Sequence, residues 1–206
     1  ADTDKPADEP TDKPADKEPV VEKQQLKAPS KVSASNVAST GKVKLTWSKV
    51  KGASEYKVYR ATSKNGKYTL MKTVKGTSYI NTSAKAGKTY YYKVKAVSKN
   101  KEVLSSGYSK IVKRTADLKK PVVTAKSKAK KQVKLTWKKV DGAKKYTVYR
   151  ATSKNGKYKA IKTTTKLTYT NKNLKAGKTY YYKVKAIAKN SAANSAFSTV
   201  DKCKVK

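Results

Sequence analysis

The chain has 206 residues, and its 51 lysines and arginines against 13 aspartates and glutamates give a formal net charge of +38 at pH 7. It contains no histidine and one cysteine, Cys203, which excludes an internal disulfide and leaves few residues that could hold a metal or act as a general base. No apolar run approaches the ~18 residues that a membrane-spanning helix needs, and the N-terminus lacks a signal-peptide pattern, so we expect no transmembrane segment.

The first 25 residues form an acidic segment that is rich in proline. They carry eight acidic residues and four lysines, so their net charge of −4 leaves +42 on the rest of the chain. Two related runs, TDKPADEP at 3–10 and TDKPADKEP at 11–19, contain four prolines and almost nothing to bury. Proline removes backbone donors and favours extended, solvated chain. We predict a disordered spacer over residues 1–25; calcium binding and docking onto the basic remainder are the alternatives.

The rest of the sequence consists of two copies of one unit. A repeat of about 90 residues is too long for a solenoid and has the size of a small independent domain. We predict a first domain over residues 26–116 and a second over 117–206. Three motifs recur after 90 residues: VKLTW, which ends at Trp47 and Trp137; YRATSKNGKY, at 59–68 and 149–158; and KAGKTYYYKVKA, which begins at 85 and 175.

Apolar and polar residues alternate in both copies, which is the pattern of half-buried β-strands. No segment has helical spacing with caps over ten or more residues, so we predict an all-β chain. The inward-facing residues of the first copy are Val43, Leu45 and Trp47; Tyr56 and Val58; and Tyr90, Tyr92, Val94 and Ala96. Those of the second copy are Val133, Leu135 and Trp137; Tyr146 and Val148; and Tyr180, Tyr182, Val184 and Ala186.

The repeated decapeptide contains a turn signal between two such strands. Asn65-Gly66 in the first copy and Asn155-Gly156 in the second can adopt positive φ at little cost. We therefore predict a hairpin turn at these pairs. Its lysines are interpreted as a solvated turn, with a contact tip as the alternative.

Several of these stretches resemble the fibronectin type III domain. KVKLTW is similar to its second strand with the core tryptophan, and LKAGKTYYYKVKA at 174–186 is similar to its tyrosine corner and sixth strand. APSKVSAS at 28–35 and KPVVTAK at 120–126 resemble first strands. The resemblance implies two tandem immunoglobulin-like sandwiches of seven strands each, with the hydroxyls of Tyr90 and Tyr180 bonded back to the backbone.

The resemblance covers nearly all of the chain after residue 25, and it is closest to the lysine-rich modules of exported or surface proteins of Gram-positive bacteria. There are departures from the family pattern. The corner proline is replaced by Ala86 and Ala176, and the corner leucine by Ala84 in the first copy. The Arg-Gly-Asp triplet by which some animal members engage integrins is absent.

The sequence does not predict an enzyme. Catalysis needs a nucleophile, a general base or a metal with a tuned neighbour, and no carboxylate pair recurs between the copies. Glu55 aligns with Lys145, and Asp141 with Lys51. We expect no catalytic residue, no metal site and no cofactor.

The outward positions of the third and sixth strands form a candidate binding face, because these strands are neighbours in the resembled fold. Tyrosines among lysines could stack on sugar rings while the ammonium groups meet carboxylates or phosphates. Cross-strand pairing that only stabilises the sheet is the alternative. The predicted residues are Lys57, Tyr59, Tyr91, Lys93 and Lys95 in the first copy, and Tyr149, Tyr181, Lys183 and Lys185 in the second.

These observations favour a non-catalytic spacer or adhesion module of a secreted or cell-surface bacterial protein. Its expected partner is an anionic polysaccharide or wall polymer, with a host surface receptor as a second class. Sequence-specific nucleic-acid binding is not expected, because only three basic residues are arginine. We expect a monomer. The alternatives are a released, irisin-like ligand for a host receptor and an accessory module of a polysaccharide-degrading enzyme.

Overall fold

A computed structural model describes residues 23–206. The predicted acidic spacer, residues 1–25, lies outside this range except for its last three residues. Gln25 of that stretch forms a parallel bridge with Leu104, and the amide of Leu26 donates to the carbonyl of Leu104 at 3.0 Å. Pairing with the first domain therefore begins before residue 26.

The described chain is all-β, as predicted, and folds into two sandwiches of seven strands each. One 3-10 turn, Ser191–Ala193, is the only helical element within residues 23–206. The first sandwich contains β1 (Ser33–Val37), β2 (Lys42–Thr46), β3 (Glu55–Ala61), β4 (Thr69–Val74), β5 (Ser78–Asn81), β6 (Thr89–Val97) and β7 (Val112–Thr115). The second contains β8 (Val123–Lys126), β9 (Val133–Trp137), β10 (Lys145–Ala151), β11 (Lys159–Thr164), β12 (Thr168–Asn171), β13 (Thr179–Ile187) and β14 (Asp201–Lys204).

Each sandwich packs a three-stranded sheet against a four-stranded one. The order is β1-β2-β5 and β4-β3-β6-β7 in the first sandwich, and β8-β9-β12 and β11-β10-β13-β14 in the second. All of the pairs between named strands are antiparallel. The long strands β3 and β6 are neighbours in the four-stranded sheet, as the resemblance implies.

The inward half of the alternating pattern forms a separate core in each sandwich. Trp47 and Trp137 are each 5% exposed. The Trp47 ring lies 5.5 Å from that of Tyr56, and the Tyr56 hydroxyl accepts from the amide of Val50 at 2.8 Å. The predicted inward residues account for most of each core, and apolar burial of this kind is the main favourable term in folding.

Tyr90 and Tyr180 form the predicted tyrosine corners. The Tyr90 hydroxyl accepts from the amide of Lys85 at 3.0 Å, and the Tyr180 hydroxyl from that of Lys175 at 3.3 Å. At the leucine position of this motif, Leu174 is buried in the second core, whereas Ala84 packs against the first core as a partly buried residue.

The turn predicted at Asn65-Gly66 is wrong in its geometry. The decapeptide does connect adjacent strands, but through the seven residues 62–68 between β3 and β4. Neither Asn65 nor Gly66 has positive φ, and neither do their counterparts in the second copy. Glycine fits here for another reason: a Cβ at Gly66 would lie 2.5 Å from the Ser63 Oγ, and the same holds for Gly156 and Ser153.

The chain passes from one sandwich to the other between residues 117 and 118. The Asn36 Nδ2 donates to the Asp117 Oδ1 at 2.6 Å, which ties Asp117 to the first sandwich. Burial raises the pKa of the Asp117 carboxyl, and nearby Arg114 partly opposes this. Leu118 is fully buried in the second core, and its amide donates to the carbonyl of Ala193 at 2.8 Å.

Cys203 lies in β14 as a free thiol that packs against the edge of the second core, and burial raises the pKa of this thiol.

Among residues 23–206, no helix has the length and apolar character needed to cross a bilayer.

Candidate functional site

The predicted binding residues lie on the solvent-facing side of each four-stranded sheet, which we call the outer face. In β3 and β6 of the first sandwich, Tyr56 and Tyr92 are buried on the inner side, and the residues that alternate with them point outward. All five predicted residues of the first copy therefore share one surface. The antiparallel register across this surface pairs Lys57 with Lys95, Tyr59 with Lys93, and Ala61 with Tyr91.

The second sandwich repeats this outer face with one change. Thr147 stands where the first sandwich has Lys57, and the four predicted residues of the second copy occupy equivalent positions. Ala61 and Ala151 are the last residues of β3 and β10. Both are buried, although neither belongs to a hydrophobic core. The outer face is therefore a packed layer of side chains. The pairs in the second copy are Thr147 with Lys185, Tyr149 with Lys183, and Ala151 with Tyr181.

Aromatic residues that were not predicted complete the outer face. Tyr108 packs edge-to-face on Tyr59, with ring centroids 5.3 Å apart and planes at 87°. Phe197 packs in the same way on Tyr149, at 4.9 Å and 87°. Tyr108 and Phe197 remain 46% and 42% exposed, so they are the most accessible aromatic surface of the two faces.

The lysines of the outer face lie against these rings. The Lys93 Nζ is 3.6 Å from the ring centroid of Tyr108 and 4.5 Å from that of Tyr68. In the second sandwich, the Lys183 Nζ is 4.0 Å from the ring centroid of Tyr158. An ammonium within about 6 Å of an aromatic face is attracted by the ring quadrupole. Each face therefore presents positive charge directly beside aromatic carbon.

Local contacts fix the loop tyrosines. Tyr68 lies at the end of the loop 62–68, and its hydroxyl donates to the carbonyl of Lys64 at 3.0 Å. The Tyr158 hydroxyl makes the same bond to the carbonyl of Lys154 at 3.0 Å. The repeated decapeptide therefore does more than turn the chain, because in both copies it carries an aromatic ring to the outer face.

Two serines hold the segment that carries Tyr108. The Ser106 amide donates to the Ala96 carbonyl at 3.0 Å, and its hydroxyl accepts from the Ala96 amide at 2.8 Å. Ser109 does the same for Val94, with distances of 2.8 Å and 3.0 Å. Ser195 and Ser198 repeat this arrangement on Ala186 and Val184 around Phe197.

Partial burial raises the pKa of several outer-face hydroxyls. Burial is the main cause for Tyr59, and the neighbouring Tyr108 raises its pKa further. Burial likewise raises the pKa of Tyr68 and Tyr158, and the adjacent Tyr91 and Tyr181 add to this. The hydroxyls of Tyr59, Tyr68 and Tyr158 therefore remain protonated at neutral pH, and those of Tyr68 and Tyr158 already donate to backbone carbonyls.

The charge of the outer face comes from lysine. Arg60 lies on the inner side, 4.9 Å from the Tyr90 ring centroid, and Arg150 lies 5.3 Å from that of Tyr180. Glu55, the outward residue at the start of β3, is an acid in the first sandwich, whereas the second has Lys145 there. The face of the second sandwich is therefore free of the one carboxylate found on the first.

This arrangement is suited to binding. In the part of the chain that the structure describes, no group of three or more histidine, cysteine, aspartate or glutamate side chains is placed to hold a metal. The outer faces offer aromatic surface and ammonium groups, which can contact a ligand.

Comparisons with known proteins agree with the fold. Residues 27–111 match the family model for the fibronectin type III domain. A segment of two fibronectin type III domains from chicken tenascin is 18% identical, with a TM-score of 0.55, over 86% of this chain and 99% of that one. The chicken interferon gamma receptor alpha chain is 14% identical, with a TM-score of 0.59, over 86% and 98%. A search of curated protein sequences finds no match.

Proposed function

From the match of residues 27–111 to the fibronectin type III domain, we propose that the chain is a non-catalytic spacer or adhesion module of an exported or cell-surface protein, and that it binds anionic polymers by charge. Domains of this family are commonly non-catalytic spacer or adhesion modules and are typically extracellular. The lysine-rich composition supports an origin among the exported proteins of Gram-positive bacteria.

The observation that carries this proposal is positive charge that the protein leaves unneutralised. Residues 23–206 contain 48 lysines and arginines but only five acidic residues, a net charge of +43. Over the same residues there is one ion pair, from the Lys23 Nζ to the Glu102 Oε2 at 3.6 Å, and both side chains are exposed. Such an excess attracts polyanions over the length of a Debye screening layer.

Binding to long-chain polyphosphate, measured at two ionic strengths, tests the proposal. We expect tight binding at about 0.01 M salt and much weaker binding at about 0.15 M, because the Debye length shortens from about 30 Å to about 8 Å. Dextran, a neutral glucan, is the control and should not bind at either salt concentration. An affinity for polyphosphate that is absent at low salt, or that does not change with salt, would contradict the proposal.

Charge variants test whether the attraction is distributed over the surface. Replacing Lys42 and Lys44, which point outward from the three-stranded sheet, by glutamine removes two charges. Replacing Lys93 and Lys95 by glutamine removes two from the outer face of the same sandwich. Both double variants should weaken polyphosphate binding by a similar factor. A total loss in one of them alone would point to a localised phosphate site.

A further inference from the structure

We propose that the outer face of each sandwich binds hexuronic acid units of an acidic polysaccharide. In this proposal the exposed rings of Tyr108 and Phe197 contact the apolar faces of the sugars, and the adjacent lysines bind the carboxylates. The inference rests on the proposed function and names a ligand class and a site for it.

The aromatic residues supply a surface that attraction to charge alone does not require. Tyr108 and Phe197 belong to neither hydrophobic core, and yet both are large and close to half exposed. Each packs edge-to-face with a neighbouring tyrosine, and the ring planes meet at 87° in both copies. Apolar area that a ligand removes from water stabilises the complex in proportion to its size.

The lysines supply charge at the distance that a uronic acid needs. A hexuronic acid carries its carboxylate directly on a ring carbon, so its charge and its apolar ring face lie within one residue of the polymer. The Lys93 Nζ is 3.6 Å from the Tyr108 ring centroid, and the Lys185 Nζ is 5.3 Å from that of Phe197. A phosphate polymer without rings would use the lysines and leave the aromatic surface in water.

The kind of basic residue on the face favours carboxylates over nucleobases. Readers of base edges rely on the planar fork of arginine. Arg60 and Arg150 are on the inner side, and Arg114 pairs with Tyr90 on that side as well. Lysine alone remains on the outer faces, and it binds carboxylates as a point charge.

The duplication favours a polymeric ligand. The same constellation of one edge-to-face aromatic pair and two ring-contacting lysines occurs in each sandwich. Two similar sites on one chain increase the overall affinity for a ligand that repeats its binding unit. A polysaccharide of repeating uronic acid has this property.

The experiment compares polygalacturonate, polyphosphate, dextran and oligothymidylate as ligands of the full chain. The test variant combines Tyr108→Ser and Phe197→Ser, and the matched control combines Leu104→Ser and Leu167→Ser, which replace residues 48% and 40% exposed outside the outer faces. We expect the test variant to bind polygalacturonate roughly tenfold or more weakly than the control variant, from the apolar area of two rings. Its binding of polyphosphate should be unchanged.

The lysine variants described above form the second arm. For polygalacturonate, the change of Lys93 and Lys95 to glutamine should weaken binding more than the change of Lys42 and Lys44. Thermal unfolding, followed by tryptophan fluorescence, should show all variants folded, because each replaced side chain is outside the cores.

The outcomes separate this inference from the proposed function. Equal losses for polygalacturonate in test and control variants, or binding of polyphosphate but not of polygalacturonate, would overturn the uronic acid site and leave attraction by charge in place. An equal loss of oligothymidylate binding in the test variant would assign the face to nucleobase stacking and overturn the ligand class. Failure to bind any polyanion at low salt would overturn both proposals.

Discussion

Asn81 donates from its Nδ2 to the hydroxyl of Tyr92 over 2.8 Å, and both side chains are fully buried. The Asn81 Oδ1 in turn accepts from the amide of Ser83 at 3.1 Å. Asn171 and Tyr182 repeat the pair at 3.2 Å. Because buried polar groups are stable only when they are hydrogen-bonded, this pair allows a tyrosine to fill the centre of each core while the end of β5 is fixed by the same asparagine.

Tyr92→Phe should destabilise the first sandwich by about 1–3 kcal/mol, because the Asn81 Nδ2 loses its partner in a site that water does not reach. Urea unfolding followed by tryptophan fluorescence measures this change. Tyr68→Phe is the control, since the bond it removes lies on the exposed loop. A Tyr92→Phe variant as stable as the control would show that the bond contributes little.

The same tyrosines should give the fold an alkaline sensitivity. Burial raises the pKa of Tyr92 to about 12, although the bond from Asn81 lowers it in part, and Tyr182 behaves in the same way. An unfolded tyrosine titrates near pH 10, so between about pH 10 and about pH 12 the unfolded state binds fewer protons than the folded one. The stabilisation is complete below pH 10 and is lost as the pH rises through the folded pKa.

We therefore expect the difference in unfolding free energy between the wild type and Tyr92→Phe to shrink between about pH 10 and about pH 12. Urea unfolding of both proteins at a series of pH values measures it, and subtraction removes effects that the two proteins share, such as the titration of lysines. A difference that stays constant over this range would show that the Tyr92 pKa is not raised.

Long strands with strict alternation could be predicted from the sequence, and β2, β3 and β6 lie where their inward residues indicated. The turn could not. The Asn-Gly signal assumes that local backbone preference decides the connection. Here the chain uses seven residues between β3 and β4, and glycine at position 66 avoids a close contact with the Ser63 side chain. β4 has no alternating burial, so periodicity gave no sign of its limits.

Gly66→Ala tests whether the contact with Ser63 is the reason for glycine in this loop. In the wild type, alanine should destabilise the first sandwich by about 1 kcal/mol, because its Cβ would lie 2.5 Å from the Ser63 Oγ. In a Ser63→Ala background the same change should stabilise by about 0.4–1 kcal/mol, since alanine restricts the unfolded chain and the backbone φ suits it. Urea unfolding of the four proteins measures both effects.

Gly52→Ala is the matched control, because Gly52 has a φ of 81° and alanine is strained there whatever surrounds it. If Gly66→Ala were destabilising to the same degree with and without the Ser63 hydroxyl, the contact with Ser63 would not be the reason for the glycine.

The corner leucine of the second sandwich should matter for stability. Leu174 is 4% exposed within the core, so Leu174→Ala should cost about 2–4 kcal/mol through lost burial and a cavity. Leu167→Ala, at a residue 40% exposed in the same sandwich, should cost much less. Urea unfolding followed by tryptophan fluorescence measures both, and equal losses would show that the corner is not part of the stabilising core.

The candidate site could be predicted only in part, for a physical reason. Alternation identified Tyr59, Tyr91 and their lysines, since regular strands place every second residue on one face. Tyr108 and Phe197 stand outside the regular strands, on segments that serine hydroxyls hold, and no period indicates which way such a residue points. Their recurrence at a spacing of 89 residues was the available signal, and it needed the three-dimensional pairing to be interpreted.

The serines that hold Tyr108 have a consequence for self-association. A bare sheet edge exposes a row of amides and carbonyls that can recruit a strand from another molecule and start fibril growth. Along the second half of β6, Ser106 and Ser109 occupy both the amide and the carbonyl of Ala96 and Val94. This stretch is thereby capped within its own chain, and a concentrated array of such modules would be protected there from edge-to-edge aggregation.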